Sequence, residues 1–403
     1  MAPALPGRAW GTKLPPGSAA RIPAAVDRAS WGDPMQTGSA FDFRTDAIST
    51  PSLRQLAAIS RATLNDDVFG EDQTTTLFER RMADVCGQQA GAFVISGTMA
   101  NQLALGALCQ YAPYAVLADA SAHVVNFEAG GLAHLSGAMV QPVQPSNGVH
   151  LTAEDVKRHA KVAPDAPFEA CLTRVISLEN TVHGNVIPLE DLRAIKDWAG
   201  KHDIMVHIDG ARIWEAVACG AAGTLAEIAS CTDALTLSFA KGIGAPIGAM
   251  VVGTAEVIHR VKRLRQSIGG GVRKVGVLAA AAQEAVLENF GPGDVDSRGI
   301  LRASHGMAEA VATMWTTRGG RLTRPTETNM VWLDLTSASL SPKALNDGGL
   351  LRGVLIAAPR IVLHHQICPE ALASLEQVFV DVLVNKHNVV ETSNNSPPSK
   401  GCV

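Results

Sequence analysis

The stretch Leu235-Thr236-Leu237-Ser238-Phe239-Ala240-Lys241-Gly242-Ile243-Gly244-Ala245-Pro246 is an apolar run of strand length that ends on a lysine and a Gly-x-Gly turn. Glycines on that side let the backbone and a ligand approach closely. A lysine partly removed from water has a lowered pKa and can condense with a carbonyl compound. Read alone, the segment also suits a surface lysine in a turn.

Other short apolar runs lie on either side of it. They are Ala92–Ile95, Ala115–Leu117, Arg174–Leu178, Ile204–Ile208 and Gly248–Val252, with Ala234–Ser238 inside the quoted stretch. Helical patterns separate them, as at Met99–Cys109, Leu189–Lys201 and Val272–Asn289. Strands alternating with helices predict an α/β fold with a mainly parallel sheet covered on both faces. After about residue 300 the texture changes to a helix at Ser304–Thr316, strands at Asn329–Leu335 and Arg360–His364, and a last helix at Pro369–Val384. The expected division is an N-terminal extension over 1–40, a large domain over 41–300, a small α+β domain over 301–387 and a polar tail over 388–403.

Two further constellations stand upstream of the lysine. Ser96-Gly97-Thr98-Met99-Ala100-Asn101 joins a strand-like run to a helix-like one. Free backbone N–H groups at such a helix start, beside the positive end of its dipole, suit a phosphate. Ser-Gly-Thr is equally an ordinary helix cap. Val206-His207-Ile208-Asp209-Gly210-Ala211-Arg212 places an aspartate at the carboxyl end of a strand, where open α/β sheets bind ligands. A helix-capping aspartate followed by a surface arginine is the plainer reading of that segment.

Bulk properties narrow the class. Hydrophobic residues are 47% and charged residues 18% of 403, which is a globular composition. A net charge of −4 argues against a nucleic-acid or membrane-surface partner. The apolar run Val277–Val286 is too short to span a bilayer and carries Gln283 and Glu284. The first residues lack the apolar core of a signal peptide, so a cytoplasmic location is expected. Seven scattered cysteines without a C-x-x-C pair predict neither a disulfide framework nor a metal site.

Phosphate turn, strand aspartate and strand lysine, in that order, fit pyridoxal 5′-phosphate: one anchor for the phosphate, one for the ring nitrogen, one for the aldehyde. The chain resembles the threonine aldolase family of fold-type I pyridoxal-phosphate enzymes. Matching segments run in order through Phe43-Arg44-Thr45-Asp46, Asp66-Asp67-Val68-Phe69-Gly70-Glu71-Asp72, Ser96–Gln102, Ala122-His123 and Leu178-Glu179-Asn180-Thr181. They continue through Asp209–Arg212, Ser238–Gly242, Gly269-Gly270-Gly271-Val272-Arg273, Thr328–Val331 and Arg360–His364, so the likeness covers roughly 41–387.

The resemblance implies roles. Lys241 would carry the cofactor, Asp209 would hold its ring nitrogen, and Gly97 and Thr98 its phosphate. Arg273 would reach that phosphate from a neighbouring subunit of a homodimer or homotetramer. His123 would lie over the ring. Arg212 and Arg360 would hold the substrate carboxylate, with Thr45 nearby, and His183 would serve the substrate hydroxyl. The implied reaction is cleavage of a β-hydroxy-α-amino acid of the threonine or allo-threonine type to glycine and an aldehyde. The resemblance extends to alanine racemases on the same scaffold, so racemisation supplying D-alanine is the alternative. A scaffold that has lost catalysis is a third reading, which retention of Lys241, Asp209 and both arginines opposes. Three positions depart from the family pattern: Phe69 for a frequent Tyr, Gln266 for a common phosphate-binding Lys, and Thr45-Asp46-Ala47 for Ser-Asp-Thr. They bear on substrate and phosphate surroundings more than on the cofactor core.

Overall fold

The structure, a computed structural model, describes residues 31–384. The polar tail, and the expected extension up to residue 30, lie outside them. Within the described residues a seven-stranded sheet is ordered β1-β7-β6-β5-β4-β2-β3. Its strands are β1 (Ala90–Val94), β2 (Ala115–Asp119), β3 (Met139–Val143), β4 (Thr173–Glu179), β5 (Met205–Gly210), β6 (Ala234–Ser238) and β7 (Ala249–Gly253). The pairs from β6 through β5, β4 and β2 to β3 are parallel, whereas β7 runs antiparallel to both β6 and β1. The carboxyl ends of β1, β2, β4, β5 and β6 therefore share one edge, where an open sheet of this kind binds ligands.

Both faces are covered, and the alternation of side chains decides which residue goes where. Phe93, Leu235 and Leu237 point into one apolar cluster, while Ala92, Val94 and Ala234 point into the other. The first cluster packs under helices Gln73–Val85, Leu189–Gly200, Ile213–Cys219 and Gly276–Asn289; the second is covered by Gly97–Leu108 and Ala255–Ser267. Phe239, the residue that leads out of β6, is fully buried against Phe78 at 5.1 Å, Trp214 at 6.0 Å and Phe93 at 6.4 Å between ring centroids. Burying an aromatic of this size is worth roughly 1.5–3 kcal/mol, which anchors the loop that begins two residues before Lys241.

A third apolar cluster belongs to the later chain. It gathers Trp315, Ile361, Leu375 and Phe379 around the antiparallel pair β8 (Met330–Trp332) and β9 (Arg360–Val362). Phe43 joins it: its N–H donates to the Leu355 carbonyl at 2.8 Å, and its own carbonyl accepts from Val362 at 2.9 Å. The entering strand-like segment is thus sewn to the small sheet before it returns to the large one.

Several ends differ from the sequence reading. The helix expected from Val272 begins at Gly276, since Arg273 still lies in the turn, where its carbonyl accepts from the Asp67 N–H at 2.9 Å. β3 was not foreseen. It carries Pro142, tolerated because β3 is an edge strand. The six cysteines within the described residues are unpaired. Among those residues no helix is long and apolar enough to cross a membrane.

Candidate active site

Strand ends converge on a cavity of about 130 Å³ lined by Gly97, Thr98, Asn101, His123, Asp209 and Lys241, among others. β1 runs into the helix Gly97–Leu108, where the Ser96 hydroxyl caps the Met99 N–H at 3.1 Å. Gly97 and Thr98 occupy the first turn, whose N–H groups have no intrahelical partner. A Cβ built on Gly97 would meet no atom within 4 Å, so open space lies over this turn. Asp209, next to last in β5, is buried and accepts from the Ala211 N–H at 2.9 Å and from Asn101 Nδ2 at 2.6 Å.

The Lys241 loop is held from several sides. The Lys241 carbonyl accepts from Gly244 N–H at 2.7 Å, and Asn289 donates to the Ile243 carbonyl at 2.6 Å. A Cβ on Gly242 would stand 2.1 Å from Glu215 Oε1, so a larger residue there would have to displace that carboxylate. Glu215 is itself buried and paired with His305 at 2.7 Å, so the long helix Ile300–Thr316 braces the lysine loop. Burial lowers the Lys241 pKa, and the Arg212 charge adds to this against the nearby carboxylates of Asp209, Asp46 and Glu179. A lysine so placed has the neutral amine within reach.

A second cavity, about 350 Å³, adjoins the first through His123 and is lined by Glu179, His183, Arg212, Trp332 and Arg360. His183 sits in the left-handed region at φ 52°, a strained backbone for a non-glycine residue. Its carbonyl accepts from Trp332 Nε1 at 2.8 Å, and the two rings meet edge to face at 5.4 Å. Burial, then the charge of Arg324, lowers its pKa. Arg212 is partly buried and its fork grips Asp46, Nε to Oδ2 at 2.8 Å and Nη2 to Oδ1 at 2.7 Å. Burial alone would raise the Asp46 carboxyl; Arg212, aided by Lys241 and Asn329, outweighs it and holds the group below the ordinary range. Arg360 Nη2 donates to the Arg44 carbonyl at 3.1 Å, and its guanidinium lies 6.0 Å over Trp332.

Of the residues singled out in the sequence, Gly97, Thr98, His123, Asp209 and Lys241 come together in the first cavity, and His183, Arg212 and Arg360 in the second. Two do not join them. Thr45 uses its hydroxyl to cap Ala47 N–H at 3.2 Å, and the neighbouring Asp46 is what reaches the site. Arg273 is exposed, ion-paired with Asp66 and 5.4 Å over the Phe69 ring, outside both cavities of its own chain.

Sequence reasoning overlooked Asp46, Asn101, Glu128 and Glu179 as site residues. Three of them stand inside the quoted motifs, where adjacent residues drew the attention. Glu128 lies five residues after His123 and had no motif to mark it. The His123 N–H donates to Glu179 Oε2 at 2.9 Å, and its Nδ1 faces Glu128 Oε1 at 2.8 Å. The bond to Glu128 raises the His123 pKa against the opposing effect of burial. Burial, then the Asp209 charge, pushes Glu179 up to about 7. His123, Glu128 and Asp209 bring three ligand-capable atoms within 4.8 Å of one another. Asn101, Gln102 and His123 already bond the Glu128 oxygens, and Asn101 and Ala211 those of Asp209, so the group is a hydrogen-bond network.

The family model described as beta-eliminating lyase matches residues 42–338. An alanine racemase, TOXG, of Cochliobolus carbonum is 46% identical, over 89% of this chain and 91% of its own. The aldolase vrtJ of Penicillium aethiopicum is 44% identical over 88% and 89%. A low-specificity L-threonine aldolase of Eremothecium gossypii is 38% identical over 86% and 88%. Among solved structures, the threonine aldolase of Leishmania major superposes with a TM-score of 0.68 at 17% identity, covering 85% of this chain and 99% of that one, a likeness of fold.

Proposed function

The chain belongs to the beta-eliminating lyase family, among the threonine aldolases, and from that premise we propose a pyridoxal 5′-phosphate enzyme that cleaves a β-hydroxy-α-amino acid to glycine and an aldehyde. The observation that carries this reading is the second cavity. It sets Arg360, a carboxylate holder, against His183, His123 and Glu179, three groups able to take a proton from a hydroxyl.

The first cavity suits the cofactor. Gly97 and Thr98 would hold its phosphate over the open helix start, Asp209 its ring nitrogen, Lys241 its aldehyde carbon, and His123 its ring face. The donor set matches the group end for end: N–H groups for a dianion, a buried carboxylate for a pyridinium, a desolvated amine for an aldehyde. When bound, the cofactor supplies an electron sink for the bond that breaks at the substrate Cα.

The protein's own contribution is orientation and proton handling. Arg360 would hold the substrate carboxylate in a fork. Arg212 spends the Nε hydrogen and one Nη2 hydrogen on Asp46, so the remaining N–H groups of its two Nη atoms are what it could offer the substrate. Fixing the carboxylate decides which Cα bond is aligned for cleavage. His183, its pKa lowered, is neutral at pH 7 and can accept the β-hydroxyl proton directly or through water.

Racemisation of alanine is favoured by one observation, the alanine racemase at 46% identity. Alanine carries no β-hydroxyl, so that reading leaves His183 without a proton to take. Incubation with L-threonine, L-allo-threonine and L-alanine separates the readings. Glycine and acetaldehyde from the hydroxy acids are expected. D-alanine without any aldehyde would replace the aldolase reading by the racemase one.

We also propose a homodimer or homotetramer. Arg273 is exposed over the Phe69 ring, next in the chain to the exposed Val272, and lines neither of the two cavities described above. An exposed arginine bordered by exposed apolar side chains suits a subunit contact. Sedimentation should show a dimer or larger; a fully active monomer would overturn this.

A further inference from the structure

The Glu128 side chain is fully buried. Its carboxylate meets three partners. Oε1 accepts from Asn101 Nδ2 at 2.8 Å and faces His123 Nδ1 at 2.8 Å, while Oε2 accepts from Gln102 Nε2 at 2.5 Å. The same Asn101 nitrogen donates to Asp209 Oδ2 at 2.6 Å. Both Asn101 amide hydrogens are thus used on carboxylates. The reverse amide orientation would set its oxygen against two anions, so Asn101 has one orientation. A carboxylate can only accept, so the nitrogen it faces on His123 must be the one that carries the proton.

We infer that Glu128 is a positioning residue: it holds His123 as the Nδ1–H tautomer, leaving Nε2 as the acceptor on the ring that lines both cavities, and Asn101 links this pair to Asp209. The logic is that of any carboxylate–histidine pair, in which the bond at one ring nitrogen determines what the other can do. The network is built from separate elements: the helix Gly97–Leu108 for Asn101 and Gln102, the short helix His123–Asn126 and the turn after it for His123 and Glu128, and the carboxyl end of β5 for Asp209. The inference rests on His123 being a site residue of the enzyme proposed above, whichever reaction that enzyme performs.

Four charged groups face His123: Glu128 at its ring, Glu179 at its backbone N–H, Asp209 from β5 and Lys241 from the loop after β6. Glu128→Gln removes one of these charges and changes little in size. The test is 15N nuclear magnetic resonance of the full-length protein labelled at histidine, with and without added pyridoxal phosphate. His123→Gln serves only to identify the resonance. In the parent protein neutral His123 should be protonated at Nδ1 and bare at Nε2. In Glu128→Gln the midpoint of His123 should fall by about one pH unit or more, the usual effect of removing an adjacent opposite charge. A parent ring protonated at Nε2 overturns the inference without reliance on any variant. So does an unchanged midpoint in a folded Glu128→Gln protein. No substrate or turnover enters the measurement, so its failure is distinct from failure of the cleavage reading.

Discussion

Lys241→Ala should lose both the yellow colour of the cofactor-loaded protein and turnover, the latter by at least about 10²–10⁴-fold, the range for removing a positioned proton carrier. The fold should survive. The loop is held by the Lys241 carbonyl, which alanine keeps, by Asn289 on Ile243, and by the buried Phe239 beside it. What changes is charge. Asp46, Asp209 and Glu179 lose a cationic neighbour, and Glu179, which Lys241 holds down, moves further up. Circular dichroism and a melting curve close to the parent, with colour and activity gone, is the expected pattern. Full activity in the variant would remove Lys241 from the mechanism.

His183→Ala should reduce cleavage of threonine by about 10²–10⁴-fold while leaving cofactor uptake and the binding of glycine close to the parent. Glycine has no β-hydroxyl, so it places no demand on this residue. Phe69 offers no hydroxyl to share the duty, being an exposed hydrocarbon ring under Arg273. The residual rate then falls to Glu179 and His123. Glu179 accepts a proton only when ionised. Burial, then Asp209, pushes its carboxyl up to about 7, so the residual rate should rise as pH is raised through that value. A His183→Ala enzyme that cleaves threonine at the parent rate would reduce His183 to a loop residue held by Trp332.

The treatment of Arg212 shows how sequence and structure divide the information. Asp-Gly-Ala-Arg after a strand reads by itself as a cap and a surface arginine; only the family resemblance implies a site arginine there, and Arg212 does line the second cavity. Its engagement by Asp46 could not be read, because the two are 166 residues apart and the aspartate sits in a short helical turn that any polar segment could form. A fully buried aspartate is stable as an anion only with such a partner.

The alternation of strands and helices, the helix start at Gly97, and the placing of Asp209 and Lys241 at strand ends were decided by local chemistry. Periodicity, capping residues and glycine turns act within a few residues, so one chain read in order suffices for them. The environment of those residues was decided by the tertiary structure alone. Glu128 reads in sequence as one more charged residue, yet the fold places it, fully buried, beside Asn101, which lies 108 residues from Asp209 along the chain. Burial strips a carboxylate of water and makes its few remaining donors decisive, and those donors come from elements that only the assembled sheet brings together.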